Sequence, residues 1–134
     1  MSAAKAEQSI ANLRQALDRL QEALNEPTTN SLVIDGTIQR FEFVIELYWK
    51  TLKRLLSLHG IEAGTPRDAI GEAFRAGWLG NESAWLEMLR DRNETSHIYN
   101  ESMARRICRR IRKNNAVLQA TWQTLHTRVP KPPT

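Results

Sequence analysis

Thiols are almost absent from this chain: Cys108 is the one cysteine in 134 residues. A lone thiol forms no intrachain disulfide and no cysteine metal cluster, so a hydrophobic core has to hold the fold. Within a helix, Cys108 reads as a small apolar filler. Glycine and proline are also scarce, at six and five. A β-rich chain with many tight turns needs more of both. Isoleucine and valine are outnumbered by leucine and alanine, which favours helices over strands. No run approaches the roughly 18 consecutive apolar residues of a membrane span. No basic-then-apolar leader opens the chain, and a cytoplasmic protein is expected. The phosphate loop, the dinucleotide fingerprint, the nucleophile elbow and the two-histidine metal motif are all missing, so no metal or cofactor is expected.

What is present is helical periodicity. The length suits one domain, and 41% hydrophobic with 25% charged residues is ordinary globular composition. A first helix is expected over about residues 4–25, with Ile10, Leu13, Leu17, Leu20 and Leu24 three and four apart on one stripe. Pro27 to Asn30 reads as a loop, with Asn30 capping a second helix over about residues 31–58. That helix carries Ile34, Ile38, Phe41, Ile45, Tyr48, Leu52 and Leu55, flanked by Val44, Leu47 and Leu58. So wide an apolar face has to meet more than one neighbour. Gly36 costs about 1 kcal/mol against alanine, so the helix is expected to begin or kink there. Gly60 stands where a left-handed terminator is wanted.

Thr65-Pro66-Arg67-Asp68 has the form of a helix start, opening a short helix to about residue 76. Asn81 caps a fourth helix ending near Thr95 or Ser96. Asn100 caps a last one, to about residue 126, with Met103, Ile107, Ile111, Leu118, Trp122 and Leu125 inward. Residues 128–134 are proline-rich and expected to be extended and mobile. The expected fold is therefore all-α: an up-down bundle of four to five helices over residues 1–127, plus a tail. Apolar surface beyond the needs of one small bundle points to a homodimer.

Two polar features could carry chemistry. The denser is Arg90-Asp91-Arg92-Asn93-Glu94-Thr95-Ser96-His97-Ile98-Tyr99-Asn100. Read as packing, it is a helix end followed by a cap. Read as chemistry, Arg92 and His97 suit RNA cleavage: a neutral imidazole takes the 2′-OH proton and a guanidinium stabilises charge on the phosphoryl oxygens. Five residues apart on a continuous helix, they diverge by roughly 140°. They converge if the helix ends between them or if two chains supply them. The second feature is the basic run Arg105, Arg106, Arg109, Arg110, Arg112 and Lys113. It reads as a solvated helix face, a phosphate contact or a site for an acidic protein. The net charge of +4 is mild. Glu42, Glu46 and Lys50, spaced four apart beside Tyr48 and Trp49, read as surface ion pairs. Trp49, Trp78 and Trp85 read as core or interface.

Three stretches in order resemble one family. They are Ile38-Gln39-Arg40-Phe41-Glu42-Phe43 with Glu46-Leu47 and Trp49-Lys50-Thr51-Leu52-Lys53; Pro66-Arg67-Asp68-Ala69-Ile70 with Ala73-Phe74 and Gly77-Trp78-Leu79; and Trp85-Leu86-Glu87-Met88-Leu89 with Arg92 to Tyr99. Over about residues 10–125 the chain resembles the HEPN-type nucleotidyltransferase substrate-binding family. The resemblance implies a HEPN four- or five-helix bundle that dimerises and partners a minimal nucleotidyltransferase. In related HEPN toxins an Arg-x-x-x-x-His pair is the ribonuclease motif, and a tyrosine two residues later receives AMP from the antitoxin transferase. Carried across, these are Arg92 and His97, with Asn93 as a supporting polar residue, and Tyr99. The implied function is a metal-independent ribonuclease toxin silenced by AMP transfer. The alternative is a non-catalytic subunit presenting a substrate to the transferase. Tyr48 is bulkier than the family pattern, which implies local repacking.

Overall fold

Four helices begin at side chains that accept a backbone N–H otherwise left without a partner. Asn30 caps α2 (Ser31–Leu58) through the Leu32 N–H at 2.9 Å, and Thr65 caps α3 (Pro66–Arg75) through the Asp68 N–H at 3.1 Å. Asn81 caps α4 (Glu82–Glu94) from a left-handed backbone, φ 56°, which asparagine tolerates better than most residues. Asn100 caps α5 (Glu101–His126) through the Met103 N–H at 2.9 Å. α1 spans Ala3–Leu24. The computed structural model describes residues 3–130, and all their regular structure is helical.

Gly36 does not start α2, which is helical from Ser31. Gly60, at φ 79°, takes the left-handed conformation expected just past the end of α2. The expected tail lies mostly outside the described residues. Its described part, residues 128–130, lies against the bundle: Val129 packs on the core and the Arg128 carbonyl is 3.1 Å from His59 Nε2.

Cross-helix hydrogen bonds define the topology. Arg112 reaches the Leu24 carbonyl at 2.7 Å, Asn115 reaches Gln21 at 2.7 Å, and the Trp122 indole reaches the Ile10 carbonyl at 2.9 Å. As α5 advances α1 recedes, so the two are antiparallel. Cys108 meets Ile34 and Tyr48 meets Leu118, so α5 runs parallel to α2. Lys113 and Asn114 meet Glu87 while Arg110 meets Asp91, so α4 is antiparallel to α5. The bundle is thus up-down-up-down through α1, α2, α4 and α5. α3 packs on α2 and α4 as the connector. Every residue of the main α2 stripe is buried, Leu56 with them. Among the described residues no helix is long and apolar enough to cross a membrane.

Tyr48 shows how its extra bulk is accommodated. Its ring is buried edge-on to Trp85, centroids 5.0 Å apart, and its hydroxyl donates to the Leu118 carbonyl. Burial pushes the phenol pKa well above its ordinary value. Tyr48→Phe keeps the ring and removes the hydroxyl. It is expected to cost about 1 kcal/mol, read as a fall of about 3–5 °C in Tm. An unchanged melt would show that the bond adds nothing net. Cys108 is a buried filler, its thiol pushed up to about 11 by burial.

Candidate functional site

α4 stops at Glu94, and a single 3₁₀ turn, Thr95–His97, follows. The Thr95 hydroxyl donates to the Arg92 carbonyl at 2.7 Å and Ser96 to the Asn93 carbonyl at 3.4 Å, local bonds that compete with helix continuation. One of the two conditions for convergence of Arg92 and His97 is therefore met, because the helix ends between them. Within the chain they share no hydrogen bond or ring contact. Arg92 turns towards α2. His97 stands in solvent with no partner among the described residues, as does Tyr99, which is 81% exposed. Ile98 between them, with extended backbone, packs against the core, and Tyr99 after it projects into solvent. Asn93 is exposed beside Arg92.

Arg92 lines a cleft of about 600 Å³ with Arg19 of α1 and with Gln39, Arg40, Phe43 and Glu46 of α2. Its Nε is buried without a partner. Trp85 Nε1 is the other such side-chain nitrogen among the described residues. Glu46 is fixed on the cleft wall: the Trp49 indole donates to one oxygen at 3.1 Å and Lys50 holds the other at 3.2 Å. The Trp49 bond, then Lys50 and the Arg92 charge, keep its carboxyl below the ordinary range, with burial opposing them. Sequence periodicity marked Glu46 only as a surface ion pair. Its place beside Arg92 depends on how α4 crosses α2.

The basic run on α5 divides. Arg105 donates to the Thr28 carbonyl at 2.7 Å and pairs with Glu101. Arg112 closes the end of α1 at Leu24. Arg110 takes both oxygens of Asp91, which is 2% exposed, at 3.0 Å each. That pairing raises the Arg110 pKa further. Lys113 pairs with Glu87 at 3.2 Å. Arg106 and Arg109 keep no partner among the described residues. No group of three or more potential metal ligands gathers among those residues either.

The comparisons agree with this bundle. A crystal structure from Thermus thermophilus is 32% identical, covers 90% of this chain and 98% of that one, and superposes with a TM-score of 0.69. A Haemophilus influenzae structure, described as revealing the fold of a substrate binding domain of a nucleotidyltransferase, is 26% identical. It covers 92% and 98% of the two chains with a TM-score of 0.66. A curated Haemophilus influenzae protein named "Probable ribonuclease HepT" is 39% identical over 77 residues, 54% of this chain and 53% of that protein. The chain thus spans about half the length of that curated relative. The model of the family described as nucleotidyltransferase substrate binding protein like matches residues 8–126. On a match of that extent, with the same bundle in both solved relatives, the chain belongs to the nucleotidyltransferase substrate binding protein-like family.

Proposed function

We propose that this chain partners a minimal nucleotidyltransferase as the toxin half of a two-component module, a metal-independent ribonuclease silenced by AMP transfer to Tyr99. The observation that carries this reading is the division of roles across the end of α4. Arg92 faces a cleft with a nitrogen unsatisfied, while His97 and Tyr99 face solvent with no structural duty. His97 takes the proton from a ribose 2′-OH. The oxygen attacks the adjacent phosphorus, the bond to the 5′-oxygen breaks, and that oxygen takes a proton from water, leaving a 2′,3′-cyclic phosphate and a 5′-hydroxyl. Arg92 stabilises the charge that builds on the phosphoryl oxygens. The test is purified chain with total RNA in EDTA, where cleavage should survive chelation. The cleft favours a second reading, since its volume suits a small ligand. A chain inert towards RNA that still binds the transferase would be a subunit presenting a substrate.

The ribonuclease reading uses a homodimer joined through residues 92–99 and part of α2, so that two arginines and two histidines meet in one cleft. Exposed Leu86 on α4 and Leu32 on α2 are its apolar surplus. Light scattering at micromolar concentration should give twice the 15.4 kDa chain mass. A monomeric mass would remove the shared cleft. Arg106 and Arg109, without ties among the described residues, are the members of the basic run best placed to hold RNA or an acidic face of the transferase.

A further inference from the structure

The cleft beside Arg92 holds more positive charge than the Arg92 and His97 pair accounts for. Three helices each direct an arginine to it: Arg19 from α1, Arg40 from α2 and Arg92 from α4. None of the three forms an ion pair with a carboxylate among the described residues. Other arginines such as Arg106 and Arg109 also lack one; what distinguishes these three is that they line a single cleft. Arg40 has a single tie, Nη1 to the Arg19 carbonyl at 2.6 Å, which leaves most of its donors open. The Arg19 guanidinium has none, and Arg92 Nε is buried and unsatisfied. Two carboxylates on the wall, Glu42 and a Glu46 that already pairs with Lys50, oppose three guanidiniums, which leaves positive charge in excess. At the rim Phe43 is 56% exposed, a large apolar ring left to solvent.

We propose that this cleft is a subsite for one nucleotide of single-stranded RNA next to the scissile phosphate at Arg92, the backbone phosphate held by Arg19 and Arg40 and the base stacked on Phe43. It rests on the ribonuclease reading of Arg92 and His97, and it extends the substrate path beyond the scissile bond. Guanidinium forks match phosphate oxygens in pairs. In a concave wall their fields add. An exposed aromatic ring supplies the sequence-tolerant half of single-strand recognition. Duplex RNA keeps its bases stacked on one another and offers Phe43 no free face. In the dimer of that reading two sets of unpaired arginines approach each other across a two-fold axis, and a polyanion between them neutralises both.

The test uses the full chain carrying His97→Ala, so that substrate is bound and not consumed. It is titrated into a fluorescein-labelled single-stranded RNA oligonucleotide and followed by anisotropy at two salt concentrations. Phe43→Ala in that background should weaken binding about tenfold at both salts. Arg19→Gln and Arg40→Gln should weaken it similarly and flatten the salt dependence, as loss of a phosphate contact requires. The matching duplex should bind more weakly than the single strand. Arg19 is exposed and its guanidinium is unattached, so its variant folds even if Arg40→Gln does not. Wild-type affinity in Arg19→Gln and Phe43→Ala, or no binding by the parent, overturns the subsite. So does a Phe43→Ala chain that binds normally and loses half its mass by light scattering, because the face is then an interface. Cleavage is read separately with His97 restored. Cleavage with indifferent cleft variants sinks the subsite and spares the ribonuclease. Variant-sensitive binding without cleavage does the reverse.

Discussion

His97→Ala is expected to lower RNA cleavage by about 10²–10⁴-fold, the usual contribution of a positioned general acid or base. The melt should not move, because the imidazole is exposed and holds no hydrogen bond, ion pair or ring contact among the described residues. Surface changes of that kind shift stability by about 0.5 kcal/mol or less. Arg92→Ala should be as damaging to cleavage, by a different route. Loss of the guanidinium removes charge stabilisation where negative charge develops, while the binding determinants on α1 and α2 stay. Its structural cost should be small, since Arg92 Nε has no partner to lose and the side chain lines a cleft. Both variants are assayed on total RNA in EDTA, beside circular dichroism melts. Cleavage at the parent rate by His97→Ala would end the ribonuclease assignment. An unfolded Arg92→Ala would make that arginine a structural residue.

The helix borders were legible because caps are local chemistry. Asn30, Thr65, Asn81 and Asn100 need only their own next few backbone N–H groups, and each makes the bond that its sequence position implies. The apolar stripes were legible for a similar reason, since a period of three and four residues states which face turns inward. The partners of the α5 arginines were not. Arg112 meets a carbonyl 88 residues away and Arg105 one 77 residues away, and no period reports where another helix ends. Asp91 sat in the most polar stretch of the chain and is nearly fully buried, because Arg110 satisfies it from α5. The cleft was illegible for the same reason. Arg19 and Arg40 are ordinary surface arginines on their own helices and become a site when α1, α2 and α4 pack together. Arg92 and His97 stood out as a polar pair in the sequence, the family resemblance named their motif and added Tyr99, and the structure adds that His97 and Tyr99 are free of structural work.

Tyr99 is expected to take AMP from the partner transferase, and Tyr99→Phe to abolish the modification outright. The phenol oxygen attacks the α-phosphorus of ATP; the new bond joins Oη to phosphorus, the α–β bond breaks, and pyrophosphate leaves. The transferase supplies the base that receives the phenol proton and the metal that holds the nucleotide. The chain supplies access. Tyr99 is 81% exposed, and with the half-buried Ile98 packed against the core beside it, it reaches outward on a tethered segment. Tyr48 cannot compete, since it is 1% exposed, its hydroxyl is engaged by Leu118, and burial holds its proton on. These two are the only tyrosines in the chain, so the assignment is a choice between them. Attached AMP places a phosphodiester charge and a nucleoside two residues from His97, where a guanidinium can pair with it in place of substrate phosphate. Helix content should therefore be unchanged while cleavage falls. Co-expression with the cognate transferase followed by intact mass spectrometry should show AMP-sized increments on the parent chain. None should appear on Tyr99→Phe, which should also cleave RNA with the transferase present. AMP persisting on Tyr99→Phe would move the acceptor elsewhere, and an unmodified parent recovered from active transferase would remove this mode of silencing.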